Sequence, residues 1–319
     1  MTGYDVRSLQ ETGSAHRSCQ DRYRIIRDED RLILICADGH GGKAYTRSGL
    51  GARFVCAAAA EILRANTPDA QVAGAIKARY DRMVAAHLAR RPLEDWEWNR
   101  LGQRPPHVVY GTTMLAAVIT RTGLAMYQLG DGDIHAIRCD GSFFPPMADD
   151  SGCQGNLTTS FANSADVVAR HFRMQRYDEP AAALVMFSDG CEGGLTPAVT
   201  GLLDLPALQT HLEDTLDQTR HGDDQTLLVA YHPATVYAAP FQEALTATLE
   251  ARHREEKRRK QELRHRAELI ELRTYLSLAI RRAEQMEARG APELAEFLER
   301  LAPCYERYNR LCQLLNISD

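Results

Sequence analysis

Short apolar segments bounded by Gly or Asp recur through roughly the first 235 residues of the chain. Five of them have the length and composition of β-strands, at residues 32–37, 113–120, 124–129, 182–187 and 226–231. The second and third are joined directly by the turn-forming residues 120–123, so this pair is predicted to be antiparallel. A parallel, doubly wound sheet is therefore disfavoured.

Three longer segments have the composition of helices, at about residues 44–64, 69–90 and 197–217. Residues 91–107 and 141–163 show no clear periodicity, so both are predicted to be surface loops. Several strands with segregated helices are typical of α+β proteins. We therefore expect an antiparallel β-sandwich flanked by helices over residues 1–235.

The hydrophobic pattern changes after Pro240. No Pro or Gly occurs from residue 241 to residue 289, and residues 252–266 are almost wholly charged, as in an exposed helix. Farther along, apolar residues follow heptad spacing in a first seam. That seam consists of Leu269, Leu272, Leu276, Ala279, Ala283 and Met286.

A second heptad seam follows the break at Gly290 and Pro292. It consists of Leu294, Leu298, Leu301, Tyr305, Tyr308, Cys312 and Leu315. The two seams predict a helical tail over residues 241–319, arranged as an α-helical hairpin or coiled coil. Its long helix is expected at about 241–289, its turn at 290–292 and its second helical segment at about 293–315.

Composition excludes several classes of protein. The 44% hydrophobic and 25% charged fractions are those of a globular chain, not a disordered one. Residues 1–240 hold 23 Lys and Arg against 29 Asp and Glu, which argues against nucleic acid binding. No apolar run is long enough to span a membrane and no secretory pattern is present, so we expect a cytoplasmic protein. The eight cysteines include no Cys-x-x-Cys pair, which argues against a zinc site or a disulfide framework.

Four aspartates lie at strand ends or in turns beside small residues. They are Asp38 in ADGHGG, Asp131 in LGDGD, Asp189 in FSDG and Asp223 in GDDQT. A single Asp-Gly after a strand usually marks only a turn. Four together predict a carboxylate cluster, and converging carboxylates repel one another unless they hold divalent cations. All-oxygen ligands favour Mg²⁺ or Mn²⁺ over zinc.

In these motifs the sequence resembles the metal-dependent protein phosphatases of type 2C. The segments CQD, DGHGG, GTT, GD, SDG and DDQT follow in the family's order from about Gly13 to about Tyr231. The resemblance implies the family's β-sandwich flanked by helices. It also implies hydrolysis of phosphoserine or phosphothreonine by direct attack of a hydroxide that bridges two Mn²⁺ or Mg²⁺ ions.

The resemblance also implies a set of metal ligands. Asp38 is the expected bridge between two ions, the Gly39 carbonyl is a further ligand, and Asp189 and Asp223 complete one shell. Asp224 aligns with a usual asparagine, so Asp223 is preferred over it as a ligand.

Other matches to the family are less complete. Asp21 of the CQD segment matches an acidic motif at the same centre, although Gln20 replaces the commoner glutamate. Asp131 matches the position of a weaker third metal ion. Gly193 stands where the family has an aspartate of that third site, which leaves Glu192 as the alternative.

Two histidines receive catalytic roles from the same resemblance. His40 matches the general acid that protonates the leaving oxygen. His16 stands where many members have a phosphate-binding arginine, and some bacterial branches have histidine there, with Arg17 as the alternative here.

The leading interpretation is a protein-serine/threonine phosphatase acting on a phosphorylated protein, either a Ser/Thr kinase or its target. One alternative is a pseudophosphatase or scaffold that acts through its helical tail. A second alternative is a hydrolase of a small phosphate ester. For the tail, simple self-packing, homodimerisation and docking of a partner protein all remain open.

Overall fold

The structure is a computed structural model that describes residues 3–148, 150, 153, 158–191, 195–218, 222–315 and 317. Contacts divide the chain into two compact units, Met1–Thr246 and Ala247–Asp319. Within the described residues, no helix combines the length and the apolar character needed to cross a membrane.

Five strands of the first unit form one antiparallel sheet in the order β2-β3-β4-β5-β7. The strands are β2 (Arg22–Arg27), β3 (Arg31–Ala37), β4 (Met114–Thr120), β5 (Leu124–Leu129) and β7 (Arg173–Tyr177). The predicted pairing of the second and third apolar segments is present as β4 and β5, joined by a tight turn.

A second antiparallel sheet has the order β1-β9-β8-β6. Its strands are β1 (Asp5–Glu11), β6 (Asp133–Ile137), β8 (Ala183–Phe187) and β9 (Gln225–Tyr231). β8 and β9 are buried along their whole length, because they lie in the middle of this sheet and are covered on both faces.

Alternation along β3 shows how the layers are packed. Every second side chain of β3, including Ile33 and Ile35, belongs to a hydrophobic cluster with the buried faces of two helices. The intervening side chains, including Leu32 and Leu34, belong to a second cluster between the two sheets. Since successive side chains of a strand point to opposite faces, β3 is apolar throughout and central to the fold.

Helices pack on both sheets of the first unit. The helices that begin within this unit are α1 (Ser48–Arg64), α2 (Asp69–Arg90), α3 (Asp95–Leu101), α4 (Ala165–His171), α5 (Leu195–Gly201), α6 (Leu208–Gln218), α7 (Pro233–Val236) and α8 (Ala239–Ala288). α8 continues into the second unit, which also contains α9 (Leu294–Leu314). α1 packs on the five-stranded sheet, whereas α5 contacts β8 and α6 contacts β1 of the other sheet. The predicted α+β sandwich flanked by helices, followed by a helical C-terminal region, is therefore confirmed.

Several local predictions were wrong or incomplete. The strands β1, β2, β6 and β7 were missed because they carry charged residues between partly buried ones and contain no continuous apolar run. The segment 91–107, predicted to be a loop, contains α3 and the start of a 3₁₀ helix at Pro106–Tyr110. The helix predicted at 197–217 is split into α5 and α6 by a 3₁₀ turn at Leu205–Ala207 that includes Pro206.

Only part of the predicted loop 141–163 can be compared with the structure. Residues 149, 151, 152 and 154–157 lie outside the described residues. The described remainder forms no helix or strand beyond an isolated bridge between Phe143 and Ile137.

In the second unit, the C-terminal part of α8 packs against α9. Leu269 of α8 lies in a small apolar cluster with Leu311 and Cys312 of α9. Beside this cluster, both Arg307 guanidinium nitrogens that face Glu268 donate to its carboxylate, at 2.7 and 2.8 Å. The second seam is narrower than predicted, because Leu298 and Tyr305 remain 49% and 54% exposed.

Candidate metal centre

Three of the four sequence-predicted aspartates converge at one edge of the sandwich. Asp38 directly follows the end of β3. One residue separates Asp131 from the end of β5, and one residue separates Asp189 from the end of β8. One carboxylate oxygen from each lies within 4.8 Å of the other two. Three such oxygens can share one or two divalent cations, and the motifs around these aspartates predicted such a carboxylate cluster.

The backbone of the Asp38 loop is fixed by the GTT segment, residues 111–113, which directly precedes β4. Thr112 Oγ1 donates to the Asp38 carbonyl at 2.7 Å, and the Thr113 backbone N–H donates to the same oxygen at 2.9 Å. The His40 N–H donates to the Gly111 carbonyl at 3.1 Å. These bonds explain why small residues and threonines occur here, since they hold the loop in place at the sheet edge.

Glycine is required at position 39 because α1 approaches the loop closely. A Cβ on Gly39 would lie 2.8 Å from the carbonyl carbon of Ser48 and 2.9 Å from the Gln20 carbonyl oxygen, both backbone atoms. Any larger residue would force the loop away from the start of α1. Close packing against the start of α1 therefore accounts for the glycine that directly follows Asp38.

Asp21 is fully buried beside the three converging carboxylates. Its Oδ2 accepts a hydrogen bond from Thr226 Oγ1 at 2.8 Å, whereas its buried Oδ1 has no hydrogen-bond partner among the described residues. Burial raises the pKa of Asp21 to about 6. Burial and the charges of Asp21 and Asp189 raise the pKa of Asp38 well above its ordinary value.

These properties fit a cation-binding site. A buried carboxylate oxygen without a donor, next to other carboxylates that raise one another's pKa, is costly unless positive charge is supplied. Asp131 shows the same effect, since burial and the charge of Asp189 raise its pKa to about 6. The donor set consists of oxygens alone, as Mn²⁺ and Mg²⁺ prefer.

Asp223 and Asp224 are adjacent in sequence but differ in environment. Asp223 lies outside the group of three, with its side chain 49% exposed, and burial together with the nearby charge of Asp189 raises its pKa. The Asp224 side chain is only 1% exposed. Asp224 Oδ1 accepts from the Gly13 N–H at 2.8 Å, and Oδ2 accepts from the Gln20 N–H at 2.5 Å. The buried Asp224 thus anchors the loop that precedes Asp21.

His16 lies on that anchored loop. Its Nδ1 atom is 2.9 Å from Asp224 Oδ2 and 3.8 Å from Asp223 Oδ1. Its Nε2 atom lies 3.3 Å from the position that a Cβ on Gly41 would take. His16 therefore sits against the DGHGG loop with a carboxylate behind it, whereas Arg17 is exposed.

His40 lies between the metal-site loop and an aromatic neighbour. Its ring packs edge-on against Tyr45, with ring centroids 4.9 Å apart. Burial lowers the pKa of His40 to about 4, against a smaller opposing effect of Asp189. A pKa this low favours the uncharged imidazole at neutral pH.

Gln20, the departure from the family's glutamate, contacts the same loop. When its amide nitrogen faces the neighbouring acceptors, that nitrogen lies 2.9 Å from the Gly39 carbonyl oxygen. It also lies 3.1 Å from Ser48 Oγ and 3.3 Å from the His40 carbonyl oxygen. The roles of Gln20 and Asp224 as anchors were missed by sequence reasoning, because both depend on contacts between distant segments.

Asp131 and Asp189 open onto a polar cavity of about 540 Å³. Arg173 also lines it and donates to the carbonyls of Gly130 and Ala148 at 2.5 and 2.6 Å. Gly193 and Glu192, considered for a third metal ion, lie outside the described residues. Asp38 is not among the residues that line this cavity.

Comparison with known proteins identifies the family of the chain and its fold. The sequence profile of protein phosphatase 2C matches residues 12–231. No curated protein matches the sequence. Among solved structures, a bacterial serine phosphatase is 12% identical with a TM-score of 0.51, and the match covers 71% of this chain and 96% of that one.

Two further solved structures are similar over the same part of the chain. Stp1, a serine/threonine phosphatase from Staphylococcus aureus, is 13% identical with a TM-score of 0.49, covering 71% of this chain and 94% of its own. The catalytic domain of the serine threonine protein phosphatase PstP, in complex with two manganese ions, is 14% identical with a TM-score of 0.47, covering 72% and 97%.

Proposed function

Because the chain belongs to the protein phosphatase 2C family, we propose that it hydrolyses phosphoserine and phosphothreonine in proteins with the help of two Mn²⁺ or Mg²⁺ ions. The observation that carries this proposal is the convergence of Asp38, Asp131 and Asp189 within 4.8 Å. A purely structural role for this edge of the sandwich would not require three mutually repelling carboxylates. Action in the cytoplasm stays a prediction from the sequence.

In this proposal Asp38 would hold both ions, the Gly39 carbonyl and Asp21 would support the same centre, and Asp189 and Asp223 would hold one of the two ions. Two ions in such a site supply a water of lowered pKa that attacks phosphorus at neutral pH. Asp131 serves a third ion, whose occupancy the proposal leaves open.

The side chains around the carboxylates bind the phosphate and move the proton. His16, whose Nδ1 lies 2.9 Å from Asp224 Oδ2, presents its Nε2 edge toward the DGHGG loop, where it would contact a phosphate oxygen. His40 protonates the leaving serine or threonine oxygen. Because burial holds the pKa of His40 at about 4, the dianionic phosphate that arrives with the substrate has to favour the imidazolium form.

The first test is hydrolysis of p-nitrophenyl phosphate with and without Mn²⁺. We expect cation-dependent turnover, and we expect Asp38→Asn to lower kcat by about a thousandfold or more, equivalent to roughly 4 kcal/mol of transition-state stabilisation. Asp178→Asn, at an exposed aspartate beyond β7, is the matched control and should leave kcat unchanged.

Calorimetric titration with Mn²⁺ gives a readout that does not depend on turnover. Asp38→Asn should lose the Mn²⁺ binding that the parent chain and Asp178→Asn retain. Absence of Mn²⁺ binding by the parent chain would contradict the proposed metal centre. Equal efficiency on phosphothreonine peptides and on small esters would instead favour the small-ester alternative.

A further inference from the structure

A second hollow, of about 440 Å³, lies next to the metal centre at the start of α1. It is lined by Ser18, Cys19, Gln20, Arg22, Thr46, Arg47, Ser48, Gly49, Leu50 and Arg53. Among the described residues that line this hollow, three are arginines and none is acidic. We call this surface the arginine hollow. It is unusual in a domain where acidic residues outnumber basic ones.

Only one of the three arginine charges is neutralised by a carboxylate. Arg47 forms an ion pair with the buried Glu97, at 2.5 Å between Nη2 and Oε2. Arg22 donates from Nη1 to backbone carbonyls, including that of Cys19 at 2.8 Å, and Arg53 is exposed. Among the described residues, no ion pair joins Arg22 or Arg53 to an acidic side chain, so two positive charges stay available.

The arginine hollow shares a wall with the proposed catalytic loop. Gln20 and Ser48 both line it, and the Gln20 amide nitrogen reaches Ser48 Oγ at 3.1 Å and the Gly39 carbonyl at 2.9 Å. Gly39 directly follows Asp38. An extended peptide advances about 3.3 Å per residue, so one residue of a bound peptide already spans more than the 2.9 Å that separates the Gly39 carbonyl from Gln20 at the wall of the hollow.

We infer that the arginine hollow is a subsite for an anionic side chain of the phosphoprotein substrate, lying close in sequence to the phosphoresidue. The shared chemistry is a carboxylate or a second phosphate group, both of which match the planar donor arrangement of arginine. This inference rests on the proposed function. It adds a preference for acidic substrate segments, which the metal centre alone does not supply.

The test compares three phosphothreonine peptides of equal length at low ionic strength. One carries glutamates beside the phosphoresidue, one carries glutamines, and one carries a second phosphothreonine. We expect the parent enzyme to hydrolyse the two anionic peptides with higher kcat/KM than the glutamine peptide. Arg53→Ala should reduce that preference by about fivefold, the upper end for an exposed ion pair, and Arg53→Glu should reduce it further.

Arg82→Ala removes an exposed arginine from α2 instead and should leave the preference unchanged. Salt should weaken the preference of the parent enzyme, because exposed charges are screened. Equal kcat/KM for the glutamate, glutamine and doubly phosphorylated peptides would overturn the inference, as would an unchanged preference in Arg53→Glu. A response to only one of the two anionic peptides would identify the anion.

Fluorescence anisotropy with the same labelled peptides separates this inference from the proposed function. Binding needs no turnover, so weaker binding of the anionic peptides to Arg53→Glu than to Arg82→Ala supports the subsite even in a chain without phosphatase activity. Active hydrolysis of p-nitrophenyl phosphate combined with equal affinity for all three peptides would support the proposed function and overturn the subsite.

Discussion

Asp224 shows how one buried side chain can organise a site without joining the carboxylate cluster. Its two oxygens accept the backbone N–H groups of Gly13 and Gln20, and His16 Nδ1 lies 2.9 Å away. A carboxylate that is almost completely buried needs such partners, because an unpaired buried charge is costly. The loop that carries His16 and leads to Asp21 is therefore held in place by Asp224.

Replacing Asp224 by asparagine tests this arrangement. The variant keeps the size of the side chain but loses the charge behind His16, so we expect KM for p-nitrophenyl phosphate to rise about tenfold with a smaller change in kcat. The free energy of unfolding should fall by about 1–3 kcal/mol, because two hydrogen bonds to a charged acceptor are weakened. Steady-state kinetics and urea denaturation measure the two effects.

Asp204→Asn is the control for Asp224→Asn, since Asp204 is exposed and precedes the 3₁₀ turn at Leu205–Ala207. The Mn²⁺ concentration for half-maximal activity should be similar in both variants. A KM within twofold of the parent value for Asp224→Asn would contradict a role in holding His16.

At the level of single residues, the sequence revealed the aspartates of the candidate site, but not the side chains that hold the neighbouring loops in place. Asp38, Asp131 and Asp189 could be found because each follows an apolar strand and adjoins a glycine, a local pattern. The contacts of Asp224 and Gln20 carry no such pattern. They arise only when the loop before Asp21 meets the turn before β9, about 200 residues away in the chain.

At the level of elements, α3 links the surface of the catalytic unit to the start of α1. Glu94 and Glu97 form a capping box at its N-terminus. The Glu97 carboxylate also accepts from Arg47 Nε at 2.7 Å and from Thr46 Oγ1 at 2.9 Å. Residues 46 and 47 lead directly into α1, so α3 braces the segment that packs against the Asp38 loop.

Glu97→Gln should lower the free energy of unfolding by about 2–3 kcal/mol at pH 7, because it leaves a partly buried Arg47 without its counter-charge. Burial alone would raise the pKa of Glu97, but the hydrogen bonds from Arg47, the Glu94 backbone and Thr46 lower it below its ordinary value. A lowered carboxyl pKa stabilises the fold above the unfolded-state value of about 4.3, and that contribution is lost as the pH falls through the folded-state pKa.

The difference in stability between the parent chain and Glu97→Gln should therefore shrink below about pH 4, where the parent carboxyl is protonated as well. Urea denaturation across the pH range measures it. Glu94→Gln, at the exposed end of the capping box, should show a much smaller difference at pH 7. A difference for Glu97→Gln that stays constant from pH 7 to pH 3 would contradict the ion-pair explanation.

Elements with alternating burial were the hardest to predict. β3, β4, β5, β8 and β9 are almost wholly apolar, and their positions were found within one residue at either end. β2 and β7 are the edge strands of their sheet, and their sequences RYRIIR and RMQRY carry charges on the exposed side. A search for apolar runs does not find an edge strand with such charges, although charged side chains are typical of edge strands because they oppose pairing with another chain.

On the scale of the whole molecule, the catalytic unit extends into α8. Phe241 and Leu245 are 2% and 0% exposed. Gln242 Nε2 donates to the carbonyls of Leu202 and Val236, at 3.1 and 2.6 Å. The sequence analysis ended the phosphatase domain at residue 235 and began the tail at residue 241, because the composition changes after Pro240. Burial shows that the beginning of α8 completes the first unit.

Two truncated chains test where the catalytic unit ends. A chain ending at Thr246 should keep the thermal stability of the first unit and Mn²⁺-dependent hydrolysis of p-nitrophenyl phosphate. A chain ending at residue 235 loses the burial of Phe241 and Leu245, worth roughly 3–6 kcal/mol, so it should unfold at a lower temperature. Calorimetry measures both, and equal stability of the two chains would contradict this boundary.

The same truncation at Thr246 isolates the contribution of the tail. Homodimerisation of the tail and binding of a partner protein stay predictions, and Leu298 and Tyr305 are among the exposed apolar residues of the tail that such an interaction could cover. If the tail drives self-association, the full-length chain should have about twice the mass expected for a monomer in solution, and the chain ending at Thr246 should be monomeric. Light scattering distinguishes the cases, because an identical oligomeric state for both chains would exclude assembly through the tail.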